Sequence, residues 1–381
     1  MNLELTEEQK LLQRTVREFA EAEVKPIARE LDETGRFPHE TIRKAAALGF
    51  TGVAVPEAEG GAGMDHISYA IMIEEIARVC TSTSVALSVQ NSLYCDPIHR
   101  FGTDEQRRKF LVPFALGEKI GCYALTEPQA GSNAAALATK AVLKGDRYIV
   151  NGTKAWITNG GVADAALVYV NTHPEKGEKG ITALVIEKST PGFSVGKEEK
   201  KLGIHATACT ELAFSDCEVP VSNRIGKEGD GYKVALSTLD GGRIGIGAQA
   251  TGIAQGAFEA ALSYAKQRQA FGHPIADFQA IQFMLADMST EIDAARLLVR
   301  KAAWKQDSGA RFSMEASIAK LFASEMSTRV THKAIQVHGG YGYSREYPVE
   351  RMYRDARVTE IYEGTSEIQR LVIAAWVLKS Y

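Results

Sequence analysis

The sequence predicts an α+β multidomain chain. An N-terminal all-α domain (residues 1–120) is followed by a middle β-barrel or β-sandwich domain (121–230) and a C-terminal helical bundle domain (231–381). Three observations predict it. The chain has 381 residues, too many for one ordinary core. Its middle third carries short segments rich in β-branched and aromatic residues, separated by turn formers. On both sides of that third, apolar residues recur every three or four positions.

The elements follow in order. Thr6 and Gln9 form a capping box, after which Leu12, Val16 and Phe19 keep helical spacing. Residues 71–93 are largely apolar and free of Pro and Gly, which predicts a buried helix. In DRYIVNGTKAWIT (146–158), Asn151-Gly152 is the strongest short hairpin signal. Strand-like runs follow at 166–170, 181–186 and 211–214, and Pro220 closes the block. From about residue 231 the helical period returns. Ile246, Ala250, Ile253, Ala257, Ala260 and Tyr264 define one long helix; Phe278, Ile281, Leu285, Met288, Ile292, Ala295 and Val299 define another. The two are expected to pack side by side.

Composition narrows the function classes. Hydrophobic residues make up 45% and charged residues 24%, a soluble globular balance. The net charge of −3 supplies no general attraction to nucleic acid or to an anionic membrane, and neither is expected as a partner. Five cysteines (80, 95, 122, 209 and 217) contain no CxxC pair and read as reduced, buried thiols. The N-terminus, MNLELTEEQK, has neither a signal core nor an Arg-rich presequence, and no apolar run approaches the roughly 20 residues of a membrane span. A cytoplasmic location is expected, a processed mitochondrial matrix form being the alternative. The eight histidines show no zinc-binding spacing, and no metal is expected.

Several motifs bear on chemistry. Residues 245–250, GIGAQA, match the dinucleotide fingerprint, but within a helical period rich in small residues they read as a close helix contact. TEPQAGS (126–132) is a loop with hydroxyls and backbone N–H groups able to hold a phosphate or the polar edge of a ring; an ordinary interdomain connection is equally consistent with it. Trp156 reads locally as a core aromatic, and His338 as a structural histidine. In EIYEGTSEIQRLV (360–372), Ser366 and Gln369 suggest a capping box, with the last helix starting near Glu367 and Glu363 just outside it. A carboxylate there suits the helix dipole, and it equally suits a general base. Local residues leave the two readings level.

Taken together, ALTEPQAGSN (124–133), KAWITNG (154–160), LDGGRIGIGAQATGIAQGAF (239–258), RQAFGHPIADFQAIQ (268–282), QVHGGYGY (336–343) and RDARVTEIYEGTSEIQR (354–370) resemble the acyl-CoA dehydrogenase family over essentially the whole chain. QNSLYCDPI (90–98) and KLGI (201–204) are most similar to its short-chain, butyryl-CoA branch. The resemblance implies a C-terminal four-helix bundle, non-covalent FAD, a homotetramer built as a dimer of dimers, and electron transfer to electron-transferring flavoprotein. It implies that Glu363 takes the α-proton of an acyl-CoA and that the product is a trans-2-enoyl-CoA. It further implies that Tyr123, Leu125, Thr126, Ser132, Trp156, Ile157 and Thr158 line the flavin. Arg268, Phe271, Gln279, Gln336, Val337, Gly339 and Gly340 would reach a neighbouring subunit's FAD, and Thr365 and Glu367 would also touch the cofactor. Ser132, Asp240, Arg243, Tyr362 and Gly364 would meet the acyl-CoA. Some branches carry the base immediately before the arginine of Asp-x-x-Arg; here that position is Gly242, which leaves Glu363. Cys95, Asp96 and HATACTEL (205–212) depart from the short-chain pattern, so short branched acyl groups stay open as substrates. An oxygen-using oxidase is the other enzymatic alternative. A DNA-associated role is disfavoured by the net charge and the intact Glu363.

Overall fold

The computed structural model describes residues 4–380. Helix α1 (Glu7–Phe19) starts on the expected capping box: Gln9 N donates to Thr6 Oγ1 at 3.2 Å and Thr6 N to Gln9 Oε1 at 3.0 Å. Seven further helices complete the N-terminal domain: α2 (Ala28–Thr34), α3 (His39–Ala47), α4 (His66–Ala77), α5 (Thr81–Ser88), α6 (Asp96–Phe101), α7 (Asp104–Phe110) and α8 (Val112–Ala115). The single helix expected over 71–93 is not formed. The chain leaves helical geometry between α4 and α5, and after α5 it widens into a π-type segment, Val89–Cys95. Arg78, at the break, reaches Glu21 at 2.5 Å and Glu259 at 2.8 Å. Residues 79–95 are buried on all sides, so they carry no amphipathic period that would have shown the interruption.

Eight strands form the middle sheet: β1 (Gly121–Ala124), β2 (Lys140–Lys144), β3 (Arg147–Ile157), β4 (Ala165–Asn171), β5 (Ile181–Glu187), β6 (Phe193–Glu198), β7 (Thr210–Pro220) and β8 (Arg224–Ile225). Their order is β6-β7-β3-β2-β4-β5-β8, with β1 parallel to β4. Tyr148, Val150, Val168, Leu184, Leu212 and Phe214 fill the core enclosed by the curled sheet. The alternate residues of β4 and β5, among them Leu167, Tyr169 and Val185, pack on helical residues such as Phe110, Phe114 and Val234. Both faces of these strands are therefore covered, which explains their unbroken apolar runs. The β2–β3 turn falls at Gly145-Asp146, not at Asn151-Gly152 as the sequence suggests. Asn151-Gly152 lies inside β3, where the pairing with β7 slips by one residue. There Asn151 Oδ1 accepts from Asp216 N at 2.8 Å and its Nδ2 donates to Asp216 Oδ1 at 3.0 Å.

The C-terminal domain is helical: α9 (Gly231–Gln267), a short hairpin of β9 (Gln269–Ala270) and β10 (His273–Pro274), then α10 (Gln279–Asp307), α11 (Ser313–His338), α12 (Val349–Val358) and α13 (Ser366–Ser380). Ile253, Ala257, Met288, Ile292, Ala323, Met326 and Val330 share the bundle core. The fingerprint-like residues 245–250 lie in mid-α9, as the helical period indicates. Two residues further on, a Cβ at Gly252 would stand 2.2 Å from the Glu74 carbonyl oxygen, so α4 and α9 touch backbone to backbone.

A polar junction ties the three domains. Arg354 on α12 donates to both carboxylate oxygens of Asp32 on α2, at 2.9 and 2.6 Å, and to the Leu202 carbonyl at 3.3 Å. The buried Asp355 accepts from Ile204 N at 2.6 Å. All five cysteines are buried and unbridged. Among the described residues no helix is long and apolar enough to cross a membrane.

Candidate active site

Glu363 stands between α12 and α13 with φ of 51°, followed by Gly364 with φ of 94°. Successive left-handed residues are uncommon when the first is not glycine, and such a joint needs support from its surroundings. Gln369 Nε2 donates to the carbonyls of Gly364 at 2.9 Å and Glu363 at 3.3 Å, and Lys320 Nζ donates to the Gly364 carbonyl at 2.7 Å. The expected Ser366–Gln369 capping box is therefore absent. Helix α13 begins at Ser366 itself, Thr365 Oγ1 accepts from Ile368 N at 3.4 Å, and Ser366 Oγ is buried without a partner among the described residues. Gln369 is turned back to the joint because the left-handed turn directs two carbonyls at it.

The Glu363 carboxylate enters a small apolar slot. Val85, Val89 and Leu93, from α5 and the π-type segment, line it with Tyr123, Leu239 and Tyr362. Oε2 of Glu363 is buried and has no hydrogen-bond partner among the described residues. A Cβ at Gly242 would lie 2.1 Å from that oxygen and 2.9 Å from Leu93 Cδ2, so only glycine leaves the carboxylate its place. Burial pushes Glu363 up to about 7, against the lowering effects of Lys320 and Arg243. That is the range in which a carboxylate serves as a base near neutral pH. Beside it, Arg243 Nη1 donates to Asp240 Oδ1 at 2.7 Å, and Ser313 Oγ donates to Asp240 Oδ2 at 2.5 Å. Beyond the slot, the Tyr362 hydroxyl donates to Gln249 Oε1, and Gln249 Nε2 donates to the Thr81 carbonyl at 3.2 Å.

The middle domain offers a flat-ring cradle. Ala155 N donates to the Thr126 carbonyl at 2.9 Å, which fastens the 125–132 loop to β3. Glu127 anchors it further by accepting from Ala138 N (2.6 Å), Thr139 N (3.0 Å) and Lys154 Nζ (2.7 Å). Lys154 is fully buried and also donates to the Leu125 carbonyl at 3.1 Å; burial pulls its amine down to about 8 against the pull of Glu127. Trp156 is not the core aromatic that its strand position suggests. Its φ is 61° and the residue is 58% exposed, while neighbouring Ile157 is buried. An exposed indole beside a loop held this firmly fits the face of an isoalloxazine ring.

The structure gathers Glu363, Gly364, Tyr362, Tyr123, Asp240 and Arg243 around the slot, with Leu125, Thr126, Trp156, Ile157 and Thr158 on the cradle. Ser132 lies exposed on the cradle loop, and Thr365 and Glu367 open α13. A second set lies at the far end of the bundle. Arg268, Gln336, Val337, Gly339 and Gly340 line a surface cavity of about 580 Å³ to which no middle-domain residue contributes. Phe271, 94% exposed, packs edge-on against Phe278 nearby, and Gln279 starts α10. His338 is structural as read, its Nδ1 on the Ala334 carbonyl at 2.8 Å and its ring stacked on Tyr264. Sequence reasoning missed Lys320, Gln249 and the Lys154–Glu127 pair. The available signal was a polar residue on the inward face of an apolar helix, as in SIAKLFA (317–323).

Fold and site together define a flavin-dependent oxidoreductase architecture, and the chain belongs to the acyl-CoA dehydrogenase family. The family models for its N-terminal, middle and C-terminal domains match residues 6–118, 122–217 and 229–378. The short-chain specific acyl-CoA dehydrogenase of Clostridium acetobutylicum is 53% identical over 379 residues, covering all of both chains. The solved butyryl-CoA dehydrogenase of Megasphaera elsdenii superposes with a TM-score of 0.98 at 46% identity, covering 99% of this chain and 100% of that one. A chain from the solved structure of the electron transferring flavoprotein of Acidaminococcus fermentans superposes with a TM-score of 0.98 at 47% identity, covering both chains completely.

Proposed function

We propose that this chain is an FAD-dependent dehydrogenase that converts a short-chain acyl-CoA to its trans-2-enoyl-CoA, with Glu363 as the proton acceptor. The observation that carries this is the buried, unpartnered Oε2 of Glu363 at the apolar slot. A thioester acidifies its α-carbon, and a carboxylate held at that carbon completes the removal of the proton. The backbone N–H of Glu363 offers a donor to the thioester oxygen, where negative charge develops. Bound FAD supplies the acceptor for the hydride that leaves the β-carbon. Leu125, Thr126, Trp156, Ile157 and Thr158 would hold its ring, and Asp240 and Arg243 would meet the CoA portion.

The short-chain preference is supported by the similarity to a short-chain specific acyl-CoA dehydrogenase and to a butyryl-CoA dehydrogenase over the whole chain. Electron-transferring flavoprotein is the proposed acceptor, in line with the similarity to a chain from such a structure. The cavity bordered by Gln336–Gly340 would take the adenosine end of a neighbour's FAD, which makes a homotetramer, a dimer of dimers, the proposed assembly.

Anaerobic titration of the holoprotein with acyl-CoAs tests the assignment. Butyryl-CoA should bleach the flavin absorbance, and octanoyl-CoA should give a kcat/KM lower by about 10²-fold or more. Glu363→Gln should keep FAD and bind acyl-CoA without bleaching. Absence of bleaching with every straight or branched acyl-CoA would remove the proposal.

A further inference from the structure

Lys320 lies on the inward face of α11 and is 0% exposed. A buried ammonium is costly unless it is paired, and the protein's other fully buried lysine, Lys154, meets a carboxylate directly. Lys320 does not. Its hydrogen bond goes to a neutral acceptor, the Gly364 carbonyl, and among the described residues no carboxylate forms an ion pair with it. Burial accordingly pulls its amine down to about 8, with Glu363 the foremost group acting the other way.

The charged groups around it are few. Glu360 is engaged by Thr328 at 2.5 Å and Arg357 at 2.6 Å, and Glu367, in the first turn of α13, is exposed to solvent. Asp240 is held by Arg243 and Ser313. Arg243 is a second cation facing the same carboxylate. The tyrosines Tyr123 and Tyr362 carry no charge near neutral pH, since burial raises both well above their ordinary range. The carboxylate best placed to answer it is that of Glu363, with an oxygen that nothing among the described residues satisfies.

We propose that Lys320 is the positioning residue of the proton acceptor: it pins the Gly364 carbonyl behind the joint and, with Arg243, supplies the positive charge that keeps the Glu363 carboxylate ionised in its slot. The two tasks act on one turn. The pinned carbonyl stabilises the left-handed pair of residues that aims the carboxylate. The charge offsets part of the burial that would otherwise leave it protonated and useless as a base.

The proposal rests on Glu363 being the base, and the variants separate the two claims. Lys320→Gln keeps a donor for the Gly364 carbonyl but removes the charge. Losing a cation raises the pKa of a neighbouring carboxylic acid, so the acid limb of the kcat/KM profile should move to higher pH by about one unit. Relative to wild type, activity near pH 6 should then fall about tenfold further than near pH 8.5. Lys320→Met should show the same movement plus a loss of kcat at every pH. Infrared titration of the holoenzyme should show the Glu363 carboxyl band, absent in Glu363→Gln, moving in the same sense. A further arm leaves Lys320 intact. Coupling is reciprocal, so the Lys320 amine, followed by ¹⁵N in lysine-labelled holoenzyme, should titrate lower in Glu363→Gln than in wild type. An unmoved acid limb and carboxyl band in Lys320→Gln, or an unmoved Lys320 titration in Glu363→Gln, would overturn the proposal. Substantial turnover by Glu363→Gln would overturn the base assignment and this proposal with it.

Discussion

Glu363 concentrates cost and use in one residue. Its left-handed backbone, its buried unpartnered oxygen and its raised pKa are all unfavourable to the folded state in the absence of substrate. The sign of the titration makes this measurable. An acid raised from an ordinary 4.5 to about 7 binds its proton more tightly folded than unfolded. Wild-type stability should therefore fall as pH rises through that window, with no further loss above it. Glu363→Gln lacks this term. Its advantage in urea unfolding should grow between about pH 4.5 and pH 7, by up to about 3 kcal/mol. A constant difference across that range would contradict the raised pKa.

At the scale of the element, glycines set how closely helices approach. Gly252 brings α9 against the Glu74 carbonyl of α4, so Gly252→Ala has to push the α4 and α9 backbones apart. A loss of about 1–3 kcal/mol in thermal or urea unfolding is expected, despite the better helix propensity of alanine. Much at this scale was legible in the sequence. The periodicities of α1, α9 and α10 were readable because each helix has one distinct apolar face or a clear recurrence of small residues. What misled was context. Asn151-Gly152 has hairpin chemistry, but Asp216 on the neighbouring strand satisfies Asn151, and β3 runs on through a bulge. Ser366 and Gln369 have capping-box spacing, yet Gln369 serves the Glu363 joint. Residues 71–93 announce burial, and burial on all sides hides a helix break. The motifs named Glu363, Gly242, Asp240 and Arg243, which the structure brings close together. Lys320 and Gln249 were not legible there, because their role comes from helices 44 and 113 residues away in sequence from their partners.

Over the whole molecule, the three domains meet at Arg354. Burial favours the protonated form of Asp32, yet the Arg354 guanidinium holds its carboxylate below the usual range. Arg354→Met would leave Asp32 and Glu350 without this partner and free the Leu202 carbonyl. A loss of about 2 kcal/mol is expected, with proteolysis near residues 199–209 increased before global unfolding. Unchanged stability together with unchanged cleavage would show that apolar packing alone fixes the arrangement. The loop concerned also contacts the cradle, through Asn159 N to the Thr207 carbonyl and Gly161 N to the Ala208 carbonyl. Loosening the junction should therefore weaken flavin retention as well as stability.

Gly242 and Glu363 occupy what is in effect one volume, since even a single methyl at residue 242 would intrude on the carboxylate oxygen. A side chain there would be accommodated only by moving the carboxylate and Leu93 from their present places. On the proposed reading of Glu363 as the base, a second acceptor at residue 242 would compete with it for that same space.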